Sequence, residues 1–239
     1  LIDLALSFYY LEDTQETIKL CNKAIKINPE CAIAYLIKAR ALGASEEAIR
    51  MYDQAIQLDP NSDSSYFNKG NALYFLERYE KAIEMFDKTI KLNPTYEDAY
   101  FNKAMALTKL KKYKEAIKNF DKALEYNNKC AYAYFNKGDV LYELKQHNEA
   151  LMMYFFSLLH DNHLIHNYLS RAESFFLTGQ FTYAISLCDN ALTINPKCLL
   201  SLQCKADIFT VYSQYEDAIK MYDKIMALGN IKSSTYLEK

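Results

Sequence analysis

Three histidines at intervals of three residues form the only run in this sequence whose residue types suit a metal site. His160, His163 and His166 would lie along one face if they belonged to one continuous helix. A closed zinc site needs further ligands, and no carboxylate partner can be assigned to this run. The sequence therefore favours a polar connector, and we expect no metal.

The six cysteines are the other residues that could carry covalent chemistry. They are too sparse for a disulfide framework in a chain of 239 residues, and no pair has the C-x-x-C spacing of a zinc or redox site. We expect reduced thiols that behave as small buried side chains, in an intracellular, cytoplasmic protein.

Motifs of catalysis and nucleotide binding are missing from the sequence. There is no G-x-x-x-x-G-K-S/T, no G-x-G-x-x-G and no G-x-S-x-G. No base can be placed beside any cysteine, so no nucleophile is indicated. We therefore predict no catalytic residues, no cofactor and no enzymatic activity.

Composition and charge exclude further classes of protein. Because 28 Lys and Arg face 30 Asp and Glu, the net charge is only -2, and neither nucleic acid nor an anionic membrane is an expected partner. Five Gly and four Pro are too few for a fold of many short strands. No apolar stretch approaches the roughly 20 residues that a membrane crossing requires. Because the chain begins without Met and in mid-pattern, we expect it to be a segment of a longer protein.

A period of 34 residues organises the chain. Alanine recurs at this interval, usually with an aromatic residue four positions later, and Pro60 and Pro94 share the same spacing. Within each period, apolar residues recur at helical spacing in two runs, which are split by a short turn such as Glu77-Arg78. Each period therefore predicts a helical hairpin, and the hairpins must stack to bury their apolar faces. The recurring alanines are Ala48, Ala82, Ala116, Ala150, Ala184 and Ala218.

This pattern resembles the tetratricopeptide repeat (TPR), which has small residues at its eighth and twentieth positions and proline at its end. The eighth position falls on Gly70, Ala104 and Gly138, and the twentieth on the recurring alanines. The resemblance implies an all-α, right-handed superhelical solenoid of stacked antiparallel hairpins, as a single array over 1–239. The units are expected at 1–31, 32–62, 63–96, 97–130, 131–164, 165–198 and 199–232, with 233–239 starting a further helix.

The unit at 32–62 is three residues shorter than its neighbours. Two explanations remain open at the level of sequence. Either the hairpin turn is tightened at Gly43, or three residues are absent from the chain as given.

A lysine or arginine occupies the seventh position of successive units, as at Lys69, Lys103 and Lys205. This row resembles a basic stripe. Long aliphatic stems can lie along apolar neighbours with the amine in water, so we interpret these residues as snorkelling side chains.

In the family, side chains of the first helices line a concave wall that binds peptides. Carried over residue by residue, the resemblance implies two alternatives for this wall. Asn68, Asn102 and Asn136, at the sixth position of three successive units, could bind the backbone of an extended peptide, similar to the asparagine ladder of protein O-GlcNAc transferases. Alternatively, they could be exposed consensus residues without a function. The candidate peptide-binding residues are Phe67, Asn68, Asn71, Phe101, Asn102, Phe135, Asn136, Asp139, Tyr142 and Glu173.

The carboxyl-terminal half of this wall leans acidic, as at Asp139, Glu173 and Asp207, which raises the possibility of a basic ligand. The carboxylate clamp of chaperone-binding repeats is not matched, because Phe67, Tyr132 and Asn136 stand where the family has cationic residues.

The function expected is therefore a protein-protein interaction scaffold whose partner is a peptide segment of another protein, with self-association as a further possibility. The alternative is a substrate-docking or regulatory segment of a larger enzyme, such as a protein glycosyltransferase. A chaperone-binding adaptor is the less favoured alternative.

Overall fold

The computed structural model describes residues 1–237, with side chains through residue 228. Within that range the protein consists of fourteen α-helices and one short 3-10 turn, Asn162–Leu164, without a strand. The expected all-α stack of helical hairpins is confirmed. The helices are α1 (Ile2–Tyr10), α2 (Thr14–Ile27), α3 (Ala32–Ala41), α4 (Glu46–Leu58), α5 (Asp63–Phe75), α6 (Tyr79–Leu92), α7 (Glu97–Lys109), α8 (Tyr113–Tyr126), α9 (Ala131–Glu143), α10 (His147–His160), α11 (Ile165–Leu177), α12 (Phe181–Ile194), α13 (Leu199–Val211) and α14 (Tyr215–Leu237).

The chain forms two compact units, Leu1–Asn128 and a second unit that begins at Lys129. The first unit contains the helix pairs from α1 to α8, and the second contains those from α9 to α14. Each of the first six pairs falls within one of the repeat units expected from the 34-residue period. The single array over 1–239 stays a prediction.

The second helix of most hairpins ends where the sequence places a polar residue before proline. Asn28, Asp59 and Asn93 are the C-caps of α2, α4 and α6, and each precedes a proline. Proline cannot continue the hydrogen-bonded helix, and it biases the residue before it to an extended backbone. At the other end, the side chains of Asp13 and Ser45 accept hydrogen bonds from backbone N–H groups of α2 and α4.

A left-handed residue connects the two helices of every hairpin. The backbone φ is +59° at Glu77 and +58° at Lys111, which have no glycine to make this conformation easy. After α5, the Arg78 N–H donates to the carbonyl of Leu73, and the Glu77 N–H donates to that of Tyr74. These two hydrogen bonds satisfy carbonyl groups at the carboxyl end of the helix, where the chain reverses direction. The left-handed residues are Glu12, Gly43, Glu77, Lys111, Lys145, Gly179 and Ser213.

The short unit at 32–62 is accommodated by its first helix. Helix α3 has 10 residues, whereas α5 and α7 have 13 each. The chain then turns through Leu42–Ser45 with Gly43 at a φ of +65°. The three-residue difference therefore lies in the length of α3, because the connection at residues 42–45 is no shorter than the one at 76–78. The two explanations for the short unit both stay predictions.

Small residues allow the two helices of a hairpin to approach closely. The side chain of Phe86 in α6 is fully buried and lies directly over Gly70 of α5. Tyr154 of α10 lies over Gly138 of α9 in the same way. The alanines at the twentieth position, from Ala48 to Ala218, are all buried as well. Close packing of this kind explains why the repeat keeps small side chains at these two positions.

First helices of neighbouring hairpins also touch: α1 packs against α3, α5 against α7, and α11 against α13. In the described part of the chain, none of the helices is long and apolar enough to cross a lipid bilayer.

The last helix departs from the expected boundary at 232. Helix α14 runs from Tyr215 to Leu237 without a break, so no separate helix starts at 233 in the described residues. This stretch contains no proline, which is the residue that stops the second helices elsewhere in the chain. Residues 238 and 239 lie outside the described part.

Candidate peptide-binding surface

Three adjoining cavities lie along the first helices of the first unit. The first, of about 320 Å³, lies between α1 and α3 at Tyr9 and Arg40. The second, of about 190 Å³, shares those two residues and extends to Asn71 and Phe75 of α5. The third, of about 280 Å³, shares Asn71 and Phe75 and reaches α7. Because neighbouring cavities share residues, they form one groove across four successive first helices, here called the first-unit groove.

A pair of asparagine amides bridges α5 and α7 in the first-unit groove. The Asn102 side-chain N–H donates to Oδ1 of Asn71 at 2.8 Å, and both residues line the third cavity. Each amide has two N–H donors and an acceptor oxygen, so this bond uses only part of the capacity of either group. The structure thus brings together two of the residues expected from sequence, 31 positions apart.

The other two asparagines of the expected ladder bond to their own helices. Asn68 donates to the carbonyl of Ser64 at 2.7 Å, and Asn136 donates to that of Tyr132 at 2.7 Å. Asn68 also lines the second cavity of the first-unit groove. The three ladder asparagines therefore differ in their bonding, although their places in the repeat are equivalent.

The phenylalanines expected beside the asparagines are engaged in packing. The ring of Phe67 stacks on Tyr96 at a centroid distance of 4.8 Å and lies 6.0 Å from Phe86. Phe101 packs edge-on against Phe120 at 5.8 Å but still contributes to the wall of the third cavity. Of this pair, Phe101 is the one that a ligand in the groove could reach.

In the second unit, Asp139 joins three helices. Its carboxylate accepts a hydrogen bond from the Tyr154 hydroxyl at 2.8 Å and another from the Arg171 guanidinium at 2.7 Å. Burial raises the pKa of the Asp139 carboxyl above its ordinary value, while Arg171 and the Tyr154 hydrogen bond oppose that shift. The guanidinium also lies 5.8 Å from the ring centroid of Phe135, which is itself buried against Tyr154. Asp139 and Phe135 thus take part in the packing of α9, α10 and α11.

Tyr142 belongs to an aromatic cluster at the end of α9. Its ring meets Phe175 edge-on at 4.8 Å and lies 5.4 Å from the ring of His147. Burial lowers the pKa of His147, which favours the neutral imidazole among these rings.

Glu173 lies in a separate groove of the second unit. A cavity of about 380 Å³ between α11 and α13 is lined by Glu173, Asp207 and His166 together with Leu169 and Leu200, and is here called the second-unit groove. Asp207 accepts hydrogen bonds from Gln203 and Tyr222. Two acidic residues that the repeat register placed on one wall are therefore found in one groove.

The row of lysines at the seventh position is paired with acidic side chains. The amines of Lys69 and Lys103 lie 2.5 Å from carboxylate oxygens of Asp53 and Asp87, on the preceding helix. Lys205 pairs with Asp189 in the same way. Each amine thus has an acidic partner 16 residues earlier, on a second helix, so these three lysines do not form an unpaired basic stripe.

The three histidines of the H-x-x-H-x-x-H run are distributed over the end of α10, the 3-10 turn and the start of α11. His160 stacks on Tyr134 at 5.5 Å, and His163 lies in the turn. In the part of the chain that the structure describes, no three His, Cys, Asp or Glu side chains are grouped so that they could hold a metal ion.

Four residues that line the first-unit groove were not predicted as binding residues: Tyr9, Arg40, Phe75 and Met105. The guanidinium of Arg40 lies 4.5 Å from the ring centroid of Tyr9, and 72% of Phe75 is exposed. The signal was available, because Tyr9 and Phe75 occupy the twelfth and thirteenth positions, which the family places on the wall.

Family models match several parts of the chain. A model described as TPR repeat matches residues 104–145, and one described as tetratricopeptide repeat matches residues 2–63. A third, described as anaphase-promoting complex, cyclosome, subunit 3, matches residues 42–123. No curated protein sequence is significantly similar to this chain.

Solved structures of repeat proteins resemble the chain over most of its length. YrrB, described as a TPR protein with an unusual peptide-binding site, is 27% identical, with a TM-score of 0.59 over 77% of this chain and 97% of YrrB. PilF of Pseudomonas aeruginosa is 21% identical, with a TM-score of 0.67 over 86% and 95% of the two chains. The C-terminal part of a TPR repeat-containing protein from Cytophaga hutchinsonii is 15% identical, with a TM-score of 0.73 over 95% of each chain.

The 34-residue period, the paired helices with small residues at their contacts, the repeat models and the solved structures agree with one another. This chain is a tetratricopeptide-repeat protein.

Proposed function

We propose that this chain is a non-catalytic scaffold that binds an extended segment of a partner protein in the first-unit groove. The observation that carries the proposal is the exposure of Phe75. Its side chain is 72% exposed and lines the third cavity together with Asn71. A large aromatic side chain beside partly occupied amides offers both apolar contact and hydrogen bonds, as binding hot spots do.

The polar groups of the groove suit the backbone of a peptide. After their mutual bond, Asn71 and Asn102 retain donors and acceptors for the N–H and C=O groups of an extended chain. Asn68, one helical turn before Asn71, adds a further amide in the second cavity. Of the predicted ladder, Asn68 and Asn102 lie in this groove, where Asn71 adds a third amide and Phe101 an apolar wall.

The first cavity of the first-unit groove is lined by Arg40 and also by Glu12, and Arg40 is the group that could receive an acidic side chain of the partner. Arg40 lines both the first and the second cavity, and its guanidinium is held against Tyr9. An arginine fixed in this way binds a carboxylate with little loss of side-chain freedom. We therefore expect a partner segment with an aromatic or aliphatic residue for Phe75 and an acidic residue for Arg40.

The second-unit groove supports the opposite preference. Glu173 and Asp207 line it together with apolar side chains, so a segment with a lysine or arginine beside an apolar residue fits its chemistry. The basic ligand suggested by the sequence thus remains a proposal for this groove alone.

YrrB offers a precedent for the function in a structure of similar fold, since it is described as having a peptide-binding site. We extend peptide binding to this chain on the strength of the groove described above. The mechanism is recognition of a partner segment, without a catalytic step.

The test is selection of peptides from a random display library on the purified chain, followed by affinity measurements with fluorescent peptides. Phe75→Ser should weaken the selected peptides about tenfold or more, which corresponds to a loss of ~1.4 kcal/mol. The control is Ile27→Ser, because 69% of Ile27 is exposed at the end of α2, away from the groove residues.

Binding that survives Phe75→Ser and is lost in Ile27→Ser would contradict the proposal. So would a library that yields no peptide above background. Circular dichroism of both variants checks that the helices remain folded, because both side chains are exposed and neither change should alter the helix content.

A further inference from the structure

Two cysteines occupy repeat positions that hold other residue types in most units. Cys188 of α12 stands where other second helices have an aromatic residue such as Phe86 or Tyr154, and Cys204 of α13 stands where three first helices have asparagine. They are 16 residues apart, the spacing that joins Lys69 to Asp53 across neighbouring helices. The repeat geometry therefore places both thiols at the same interface.

The residues next to the two cysteines show how α12 and α13 meet at this point. Lys205 forms an ion pair with Asp189, so the residues that follow the two cysteines are joined across α12 and α13. Cys188 and Cys204 each stand one residue before a member of this ion pair, and each thiol shifts the pKa of the other. Cys188 is fully buried, whereas Cys204 is partly exposed and lines the second-unit groove. One thiol is thus open to small reagents, and the other lies beneath it.

The environment divides the two thiols into a reactive and a protected member. The hydrogen bond from Cys188 lowers the pKa of Cys204, against the opposing effects of burial and of the carboxylates of Asp207 and Glu173. The same bond, together with burial, raises the pKa of Cys188. Because the thiolate is the nucleophile, Cys204 is the member that should react first.

We propose that Cys204 and Cys188 are an oxidation site that reacts with a hydroperoxide such as hydrogen peroxide and closes to an intrachain disulfide. The proposal concerns chemistry on this chain and does not depend on peptide binding.

The reaction has two balanced steps. The Cys204 thiolate attacks one oxygen of hydrogen peroxide, the O–O bond breaks, and the sulfenic acid of Cys204 forms while hydroxide leaves and takes up the thiol proton as water. The sulfur of Cys188 then attacks the sulfur of Cys204. The S–O bond breaks as the S–S bond forms, and the hydroxyl leaves with the Cys188 proton as a second water. The two thiols lose two electrons and the peroxide gains them.

The remaining cysteines supply controls within the same chain. Cys198 is buried at the N-cap of α13, where the Ser201 hydroxyl donates to its sulfur at 3.1 Å. Cys31 lies in the first unit at the start of α3. The hydrogen-bond partner of Cys198 is a hydroxyl rather than a thiol, and Cys31 belongs to the other unit, so both should remain alkylatable.

The experiment treats the intact chain with a few equivalents of hydrogen peroxide, alkylates free thiols in denaturant, and maps the products by tryptic mass spectrometry. We expect two tryptic peptides joined by a disulfide between Cys188 and Cys204. Their combined mass should be two hydrogens below that of the reduced peptides, and dithiothreitol should separate them. Trypsin cuts after Lys197 and Lys205, so Cys198 and Cys204 share a peptide. The Cys198→Ser variant assigns the link, which it should retain.

Single variants separate the two roles. In Cys188→Ala, oxidation should stop at a sulfenic acid on Cys204, which dimedone traps. Cys204→Ser should form neither the disulfide nor the dimedone adduct. Circular dichroism confirms folding of both variants, and the wild-type map stands even if either unfolds. The proposal is overturned if Cys188 and Cys204 are both alkylated after treatment, if wild-type Cys204 proceeds to sulfinic acid without a link, or if Cys31 reacts as readily as Cys204.

Discussion

A Cβ atom built on Gly70 would lie 2.6 Å from Cε1 of Phe86, closer than two carbon atoms can approach without a shift. Phe86 is fully buried, so its ring has no open space to move into. We expect Gly70→Ala to lower the free energy of unfolding by ~1–2 kcal/mol, because overpacking outweighs the gain of ~1 kcal/mol in helix propensity. Chemical denaturation monitored by circular dichroism measures the change.

The double variant Gly70→Ala with Phe86→Leu is the control. Removal of the ring should relieve the overpacking, so Gly70→Ala should cost little or even stabilise in the Phe86→Leu background. Equal costs in the two backgrounds would show that the ring is not the cause.

The left-handed turn residues lead to a second prediction. Lys111 has a φ of +58°. Among the described residues, its side chain forms no hydrogen bond or ion pair that would be lost in a glycine variant. Lys111→Gly should therefore raise stability by ~0.5–1 kcal/mol, since glycine adopts this conformation without steric cost. Gly179→Ala, at a φ of +74°, should lower it by ~1 kcal/mol.

Lys112→Gly is the matched control for the turn. Lys112 is the adjacent residue, with a φ of -82°, where glycine relieves no strain. Thermal unfolding should show a gain for Lys111→Gly and none for Lys112→Gly. A similar gain in both variants would indicate an effect of removing charge.

The third prediction concerns Asp139 and Arg171. Arg171→Met leaves the Asp139 carboxylate with the Tyr154 hydroxyl but without its cation, and we expect a loss of ~1–3 kcal/mol at neutral pH. Lys197→Met removes an exposed cation from the same unit and should change stability by less than ~0.5 kcal/mol.

The loss in Arg171→Met should depend on pH with a defined sign. The folded-state pKa of Asp139 is raised, so ionisation of this group costs stability as pH rises through that pKa. Arg171 limits this cost, and without it the pKa rises further. The difference in unfolding free energy between wild type and variant should therefore narrow as pH falls into the range where Asp139 is protonated. A difference that stays constant down to acid pH would argue against this role.

The sequence was sufficient for the helix pairs because their determinants are local or periodic. Proline after Asn93 ends α6, and the small residue at Gly70 marks where the helices touch. The left-handed residues at Glu77 and Lys111 could not be recognised, because their side chains carry no signal for that conformation. Propensity alone would place glycine there.

The candidate site was predicted in its location but not in its bonding. Repeat positions identified Asn71 and Asn102, but the bond between them depends on the approach of two helices 31 residues apart in sequence. In the same way, Asp139 appeared to be an acidic wall residue until its contacts with Tyr154 and Arg171 were visible. Register predicts which face a residue occupies, whereas partners across helices follow from packing.

In the described residues, hydrogen bonds between backbone groups join only positions close in sequence. Among the described residues, backbone hydrogen bonds outside the helices join positions at most five apart, as at Arg78 and Leu73. Neighbouring hairpins are therefore attached by side chains alone, through apolar contacts and pairs such as Lys103 with Asp87. Within each compact unit, a pulling force on the chain would meet no ladder of bonds to shear. The hairpins would therefore unfold one after another at low force, and each unit would lengthen in steps.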